Sequence, residues 1–363
     1  MTAVVAAVGI AACGGSSSST ASSASGGSST PTSSTGGGGQ TINGAGSTLA
    51  APLYNQWAAN LSTQGLTVNY QGNGSGAGIA ELQGATADFA GSDPPEKPSE
   101  IAAGKGPVAM FPIAFGAITV SYNVPGLKTG LKLDGKTIAD IFLGKVKKWD
   151  DPEIKALNPG LSLPGPAITV VHRSDSSGTT KGFTTFLSDY SPAWTAAAGK
   201  PDKVVNWPTG TGAKGNAGVA AVIKQTPGAV GYIDQAYAIQ NGFTYAAVKN
   251  SAGKFVRATL DTASAAAVGI PVPANLAISS INSPSPTAYP IVSQTFLIVY
   301  KDMCKVGIPQ SRAKAVKQFI AYGLSTAGQA VEKQLFYAPL PPPILSKDQA
   351  QLTSLTCNGT PLP

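Results

Sequence analysis

A chain of 363 residues, 42% of them hydrophobic, can fill the core of one large domain or two ordinary ones, which argues against disorder throughout. Only 12% of the residues are charged, and the net charge is +7. A basic chain can bind nucleic acid, an anionic surface or a small anion. Nucleic-acid binding needs clustered Lys and Arg with interleaved aromatic residues, but the densest basic run is the short 145–148, beside Asp150 and Asp151. We therefore expect no nucleic-acid partner.

The amino terminus has the features of an export signal. Residues 4–12 form an apolar run that is too short to span a bilayer. The run ends in Ile10-Ala11-Ala12-Cys13-Gly14, which resembles a bacterial lipobox, where the cysteine receives a diacylglyceryl group and a peptidase cuts before it. We expect residues 1–13 to be a lipoprotein signal with Cys13 lipidated; the alternative is a chance cysteine in an Ala-rich segment. No Lys or Arg precedes the run, so we expect the natural signal to begin upstream of Met1.

A low-complexity segment follows. Residues 14–40 are almost entirely Gly, Ser and Thr, a composition that behaves as a flexible coil. Such a coil would act as a tether between a lipid on Cys13 and a folded domain that begins near Thr41. Several acyl chains on one cysteine anchor a protein well, whereas a single chain anchors weakly.

Strand-like and helix-like segments alternate through the rest of the chain. Strand-like runs occupy 67–70, 118–122, 168–171, 230–233 and 295–300. Helical patterns occupy 52–61, 181–187, 216–225 and 313–322; in the first, Leu53, Trp57 and Leu61 share one face. Strands alternating with helices predict an α/β fold with a mainly parallel sheet.

Two cysteines, Cys304 and Cys357, remain near the carboxyl end. In an exported protein an even remainder predicts a disulfide, which would tie the tail to the domain. The alternative is a pair of unpaired thiols.

Three loops join a strand-like run to a helix-like one, and each is rich in Gly, Ser and Thr. They cover 44–49, 72–78 and 173–180. A helix start carries unpaired N–H groups and partial positive charge, and glycine lets the backbone approach an oxyanion closely. Each loop could also be an ordinary helix cap or turn. No dinucleotide-binding or P-loop signature occurs in them.

Four motifs in register resemble one family. They are Gly44-Ala45-Gly46-Ser47-Thr48, Asn69-Tyr70-Gln71-Gly72-Asn73-Gly74-Ser75, Asp88-Phe89-Ala90-Gly91-Ser92-Asp93 and Arg173-Ser174-Asp175-Ser176-Ser177-Gly178-Thr179. Together they closely resemble the substrate-binding subunit of bacterial phosphate ABC transporters. The resemblance extends from about residue 41 to about residue 340.

The resemblance implies a fold and a function. The fold would be the two-lobed periplasmic-binding-protein fold (type II, Venus flytrap), with a hinge of two crossovers near Ala114 and Pro290. Lobe one would comprise 41–114 plus 290–363, and lobe two 115–289. The function would be capture of inorganic phosphate outside the cytoplasmic membrane by a monomeric receptor, which delivers it to the permease subunits of an ABC transporter. No cofactor and no chemistry on the ligand are implied.

The resemblance also implies a set of ligand-binding residues. They are Ser47, Thr48, Leu49, Ser75, Asp93, Arg173, Ser177, Gly178 and Thr179, with Asp175 orienting the Arg173 guanidinium. The family usually has an aromatic residue at the position of Leu49, so its packing is expected to differ although its N–H can still serve. Arg173 would pair with two phosphate oxygens, which its planar fork suits.

We expect Asp93 to recognise the ligand by accepting a hydrogen bond from the ligand's proton. A carboxylate beside an anion can accept the proton that phosphate still carries near neutral pH, which sulfate lacks. Taken alone, the Ser92-Asp93-Pro94-Pro95 context would suit a turn.

Other function classes remain as alternatives. One is a receptor for another tetrahedral oxyanion such as sulfate or molybdate; another is a surface adhesin with a vestigial cleft. A serine-dependent hydrolase would need His172, the single histidine, as base to Ser177 or Ser75. At strand spacing His172 should face away from Arg173 and leave the cleft. A lone histidine without a close cysteine pair predicts no transition-metal site.

Overall fold

The structure, a computed structural model, describes residues 39–363. The predicted signal with Cys13, and the predicted tether up to residue 38, lie outside the described residues. The strands are β1 Gln40–Gly46, β2 Leu66–Gln71, β3 Phe89–Ser92, β4 Val108–Tyr122, β5 Lys132–Leu133, β6 Thr169–Arg173, β7 Thr211–Ala213, β8 Ala229–Asp234, β9 Thr244–Tyr245, β10 Ala247–Lys249, β11 Phe255–Val256, β12 Val292–Tyr300, β13 Thr356–Cys357 and β14 Thr360–Pro361.

The helices lie mostly between strands of the main sheet. They are α1 Ala51–Ser62, α2 Ser75–Gly84, α3 Pro98–Ala103, α4 Gly135–Phe142, α5 Pro152–Leu157, α6 Gly178–Tyr190, α7 Pro192–Ala198, α8 Gly215–Gln225, α9 Gln235–Gln240, α10 Leu260–Ala265, α11 Gln310–Gly323, α12 Thr326–Gln334 and α13 Pro342–Leu352, with one 3₁₀ turn at Cys304–Val306. Among residues 39–363, no helix combines the length and the apolar character needed to cross a bilayer.

The main sheet has nine strands in the order β2-β1-β3-β12-β4-β8-β6-β7, with β9 also paired to β4. Strand β4 pairs with β12 up to Ala117 and with β8 from Ile118 onward. This long strand therefore joins a first half of the sheet, made of β2, β1, β3 and β12, to a second half, made of β8, β6 and β7. The second chain passage between the halves lies beside it, where the Ile118 N–H donates to the Ile291 carbonyl at 2.8 Å.

The predicted elements are present with wider bounds than the patterns gave, except that β6 begins one residue later than the predicted run. The prediction of a mainly parallel sheet was wrong. Strands β1, β2 and β3 pair in parallel, as do β6, β7 and β8. The central strands β4 and β12 are antiparallel to each other, and β12 to β3 and β4 to β8 are antiparallel as well. The cause is that β4 and β12 carry the chain between the two halves in opposite directions. Their sequence periodicity does not encode that direction.

Aromatic side chains, most of them fully buried, pack in both halves of the sheet and hold the loops that follow its strands. In the first half lie Tyr54, Trp57, Tyr70, Phe89 and Phe319; in the second lie Phe142, Phe183, Trp194, Trp207 and Tyr232. The Tyr70 hydroxyl donates to the Ser47 carbonyl at 2.9 Å. The Tyr232 hydroxyl accepts from the Arg173 N–H at 3.0 Å and bonds the Thr180 hydroxyl at 2.6 Å. The core therefore holds the strand ends in place as well as stabilising the fold.

A disulfide and two hydrogen bonds hold the carboxyl-terminal tail in place. Cys304 and Cys357 form a disulfide with their Cα atoms 4.7 Å apart. Asp302 accepts hydrogen bonds from the N–H groups of Asn358 and Gly359 at 2.8 and 2.7 Å. The last strand pair is thus bonded covalently and through the backbone to the segment before α11.

Candidate anion-binding site

Polar residues follow the carboxyl ends of the parallel strands in both halves of the sheet. Ser47 follows β1, Ser75 follows β2, Asp93 follows β3, and Arg173 ends β6. In open α/β sheets ligands bind at this edge, where strand ends and helix starts converge. Because β4 joins the two halves, their carboxyl edges face a common cluster.

Asp93 lies at the centre of the cluster and is 3% exposed. Its Oδ1 accepts from the Ser47 hydroxyl and, at 3.1 Å, from the Thr295 hydroxyl. Its Oδ2 faces Gly178, since a Cβ at that glycine would lie 2.5 Å from it. Burial raises the pKa of Asp93 to about 6, against the hydrogen bonds from Ser47 and Thr295 and the attraction of Arg173. At neutral pH the group is therefore mostly a carboxylate.

Arg173 is the cation of the cluster, and like Asp93 it is 3% exposed. Its Nε donates to Asp175 Oδ1 at 2.7 Å, and its Nη2 donates to Asp175 Oδ2. Burial works to lower the pKa of Arg173, but the ion pair with Asp175 outweighs it and raises that pKa. The Asp175 carboxylate is in turn fixed by the Gly215 N–H at 2.9 Å. One edge of the guanidinium is thus occupied, while Nη1 points towards the Thr179 hydroxyl at 3.5 Å.

The start of α6 faces Asp93 from the other side of the cluster. The Ser177 hydroxyl accepts from the Thr180 N–H at 3.1 Å, so it caps the helix, as the alternative interpretation of this loop proposed. The Gly178 N–H donates to the Ser75 hydroxyl oxygen at 3.2 Å, and the Asp93 N–H reaches the same oxygen at 3.3 Å. Ser75 therefore links the second loop to the helix start.

Thr48 and Leu49 of the first loop lie in different surroundings. The Thr48 Oγ1 accepts from Asn216 Nδ2 at 2.9 Å. The Leu49 side chain is fully buried and packs on Gly116 of β4, while its carbonyl accepts from the Tyr337 hydroxyl at 2.6 Å. Leu49 thus fills the space beneath the loop with its side chain, and only its backbone belongs to the cluster.

Close backbone approaches hold the loops together and require glycine at Gly74. It has a φ of 106°, and a Cβ there would meet Asp175 Oδ2 at 2.5 Å and the Ser176 carbonyl at 2.9 Å. The neighbouring Gly76 N–H donates to the same Ser176 carbonyl at 3.0 Å. The second and third loops are therefore in direct contact.

The cluster combines the Asp93 carboxylate with several donors in a buried setting, while the Asp175 carboxylate is paired with Arg173. Asp93 can accept a proton, while Arg173, hydroxyl groups and the N–H groups of α6 can donate to oxygen atoms. Such a set suits a small oxyanion that carries at least one proton.

The arrangement does not assemble a serine-dependent hydrolase. The His172 ring stacks on Trp207 with centroids 4.6 Å apart, and its Nδ1 contacts the Arg173 carbonyl at 3.1 Å. Burial lowers the pKa of His172. Within residues 39–363 no hydrogen bond joins this histidine to Ser177 or Ser75, so it is not placed as their base.

Sequence reasoning missed three polar residues that the fold adds to the cluster: Thr295, Asn216 and Asp234. Thr295 was seen only as the start of a strand-like run, and Asn216 only as the start of a helical one. Asp234 ends β8, is buried, and accepts from Asn216 Nδ2 at 3.0 Å. Burial, reinforced by the nearby Asp93, raises its pKa well above the ordinary value. A signal for Asn216 existed, because the glycines at 210, 212 and 215 make a further Gly-rich approach to a helix.

Similarity to known proteins agrees with this geometry. The PBP superfamily domain matches residues 22–327. The phosphate-binding protein PstS of Pasteurella multocida is 40% identical over 316 residues, which cover 86% of this chain and 90% of that protein. The chain belongs to the PstS family of phosphate-binding proteins. Another PstS, from Xylella fastidiosa, is 39% identical over 320 residues, covering 86% of this chain and 85% of that protein.

Solved structures support the same fold for this PstS-family chain. A high-affinity periplasmic phosphate-binding protein, solved with phosphate bound, superposes with a TM-score of 0.71 at 23% identity. The match covers 89% of this chain and all of that one. This likeness confirms the expectation of an α/β periplasmic-binding-protein-like fold, and the 40% identity to a PstS protein confirms the expected membership in the phosphate-binding family.

Proposed function

We propose that this chain is an extracytoplasmic receptor that binds inorganic phosphate and delivers it to an ABC transporter for import, without chemistry on the ligand. The observation that carries the proposal is the buried Asp93 carboxylate, whose Oδ2 faces the start of α6 in a chain that is 40% identical to a PstS protein. Asp93 acts as acceptor, and the groups around it act as donors.

The Asp93 carboxylate would select phosphate over sulfate. Its Oδ1 already receives two hydroxyl donors, so Oδ2 is the oxygen left for the ligand. Phosphate near neutral pH still carries a proton to donate there. Sulfate would bring an oxygen against the carboxylate with no hydrogen between them, and a buried unpaired acceptor costs about 1–3 kcal/mol, more when charged. The same reasoning disfavours a receptor for other fully ionised oxyanions such as molybdate.

The remaining contacts would come from donors in both halves of the sheet. Thr48, Leu49 and Ser75 would serve from the first half, and Arg173, Ser177, Gly178 and Thr179 from the second. Ser47, whose hydroxyl donates to Asp93 Oδ1 in this structure, would serve once that hydroxyl turns to the ligand. Since Asp175 occupies one edge of the Arg173 guanidinium, we assign the phosphate to its Nη1 and Nη2 end. Charge-assisted bonds of this kind are the stronger class of hydrogen bond.

Ligand capture would use closure of two lobes in a type II, Venus-flytrap arrangement. Lobe one would be 41–114 plus 290–363 and lobe two 115–289, with crossovers near Ala114 and Pro290. Support comes from the change of partner along β4 and from the adjacent chain passage at Ile291. Contacts such as Gly76 to Ser176 would form on closure.

The chain would work at the outer face of the cytoplasmic membrane. A lipid on Cys13 would anchor it, and residues 14–40 would form the tether. Replacing Cys13 with Ser should release the protein from the membrane fraction; retention of that variant would overturn the anchor. The partners would be phosphate and the permease, and the receptor would be monomeric.

Phosphate uptake tests the receptor function. Deleting the gene should reduce uptake of radiolabelled phosphate when phosphate is limiting, and the intact gene should restore it. The Arg173→Ala variant should fail to restore uptake, whereas Arg257→Ala, which removes an exposed arginine, should succeed. Unchanged uptake after deletion would overturn the role in import, and full restoration by Arg173→Ala would overturn the assigned site.

A further inference from the structure

Asn216 forms a hydrogen-bonded bridge between Asp234 and Thr48, and all three side chains are buried. The Asn216 Oδ1 accepts from the Asp234 backbone N–H at 3.0 Å. A backbone N–H can only donate, so this contact fixes which end of the amide is oxygen. The amide nitrogen must then face Asp234 Oδ2 at 3.0 Å and Thr48 Oγ1 at 2.9 Å.

Thr48 consequently receives hydrogen bonds from two donors of one residue. Besides Nδ2, the backbone N–H of Asn216 points at Thr48 Oγ1 at 3.4 Å. A hydroxyl oxygen has two acceptor lone pairs and one proton. With both lone pairs engaged, the Thr48 hydroxyl can only donate its proton to another group.

We propose that Asn216 is a positioning residue that makes the Thr48 hydroxyl an obligate donor to the bound anion. This inference rests on the proposed function, because it names how one wall of the phosphate site is set. Asp234 contributes by holding both ends of the Asn216 amide. The arrangement complements Asp93, because Asp93 accepts a hydrogen bond from the ligand's proton while Thr48 can only donate one to a ligand oxygen.

A double-mutant cycle on phosphate affinity tests the proposal. Thr48→Val removes the hydroxyl at nearly constant shape and should weaken binding about 15- to 150-fold, as expected for a hydrogen bond to a charged group. Asn216→Ala leaves the hydroxyl free to rotate and should weaken binding less, about 5- to 10-fold. The double variant should bind like Thr48→Val alone, because Asn216 acts through that hydroxyl.

Two controls separate this role from a purely structural one. In a Thr48→Ser background, which keeps the hydroxyl, Asn216→Ala should still cost about 5- to 10-fold. Asn241→Ala, which removes an exposed amide bonded to the Tyr237 carbonyl, should leave affinity unchanged. Thermal unfolding without ligand monitors the fold of every variant, and Asn216→Ser replaces Asn216→Ala if the latter does not fold.

The outcomes are distinct. Independent losses that multiply in the double variant would overturn the proposal while leaving phosphate binding intact. Equal losses in both single variants and the double variant would assign the contact to lobe closure alone and would also overturn the donor role. A wild-type chain that does not bind phosphate would overturn this inference together with the proposed function.

Discussion

Replacing Asp93 with Asn should weaken phosphate binding and permit sulfate binding. The Ser47 and Thr295 hydroxyls both donate to Oδ1, so the retained oxygen of the amide should stay with them. The new NH₂ group would then occupy the position of Oδ2, facing Gly178. A donor would replace an acceptor at the point where the ligand is approached.

The magnitude follows from the hydrogen bond that is lost. A hydrogen bond to a charged group contributes about 1.5–3 kcal/mol, so phosphate should bind the Asp93→Asn variant about 10- to 150-fold more weakly. Sulfate presents only acceptor oxygens and should gain the new donor. The affinity for sulfate should therefore rise from undetectable to measurable. Because phosphate would bind more weakly and sulfate more tightly, the preference for phosphate over sulfate should shrink.

Calorimetric titration of each anion against the wild-type protein and the Asp93→Asn variant measures this exchange. The pH dependence provides a second check. Because the pKa of Asp93 is raised to about 6, lowering the pH through that value protonates the group and turns it into a donor. Sulfate binding to the wild-type protein should therefore strengthen as pH falls below about 6, and the variant should lack that dependence. An unchanged phosphate-to-sulfate preference in the variant would refute the assignment of Asp93.

Three further changes have defined outcomes. Gly178→Ala would place a Cβ 2.5 Å from Asp93 Oδ2 and should weaken phosphate binding about 10-fold or more. In the control Gly218→Ala the nearest atom to the new Cβ would be 3.5 Å away, so this variant should bind phosphate normally. Equal binding by the two variants would contradict the close approach of Gly178 to Asp93. Cys357→Ser should lower the free energy of unfolding by about 2–4 kcal/mol without altering affinity, and denaturant unfolding that matches the wild type would contradict this. Burial raises the pKa of Asp348 to about 9, so its neutral form favours folding, and stability should fall as pH rises from about 4 towards about 9. The Asp348→Asn variant should show a smaller fall in calorimetric scans, and an undiminished slope would exclude Asp348 as its source.

Local patterns predicted much of the fold. The helical face of Leu53, Trp57 and Leu61 became the buried face of α1. The strand-like run 118–122 was only the last third of the 15-residue β4, which is buried without alternation from Phe111 to Tyr122, so no alternating pattern marks its full extent. Strand direction depends on how the chain crosses between halves, and that information is distributed over residues far apart in sequence.

The candidate site was predictable where its residues share a motif. Arg173 and Asp175 are two positions apart, so their pairing could be anticipated from the sequence. Thr295 lies 202 positions from Asp93, and no local signal links the two. Asn216 likewise lies 168 positions from Thr48, and only the folded chain brings their side chains together.

Calorimetric titration of the purified, ligand-stripped protein with phosphate and then with sulfate measures both binding and selectivity. We predict tight binding of one phosphate per chain and no heat from sulfate near neutral pH. Equal binding of both anions would contradict the role of Asp93 as the acceptor of the ligand's proton. Absence of phosphate binding would contradict the receptor function itself.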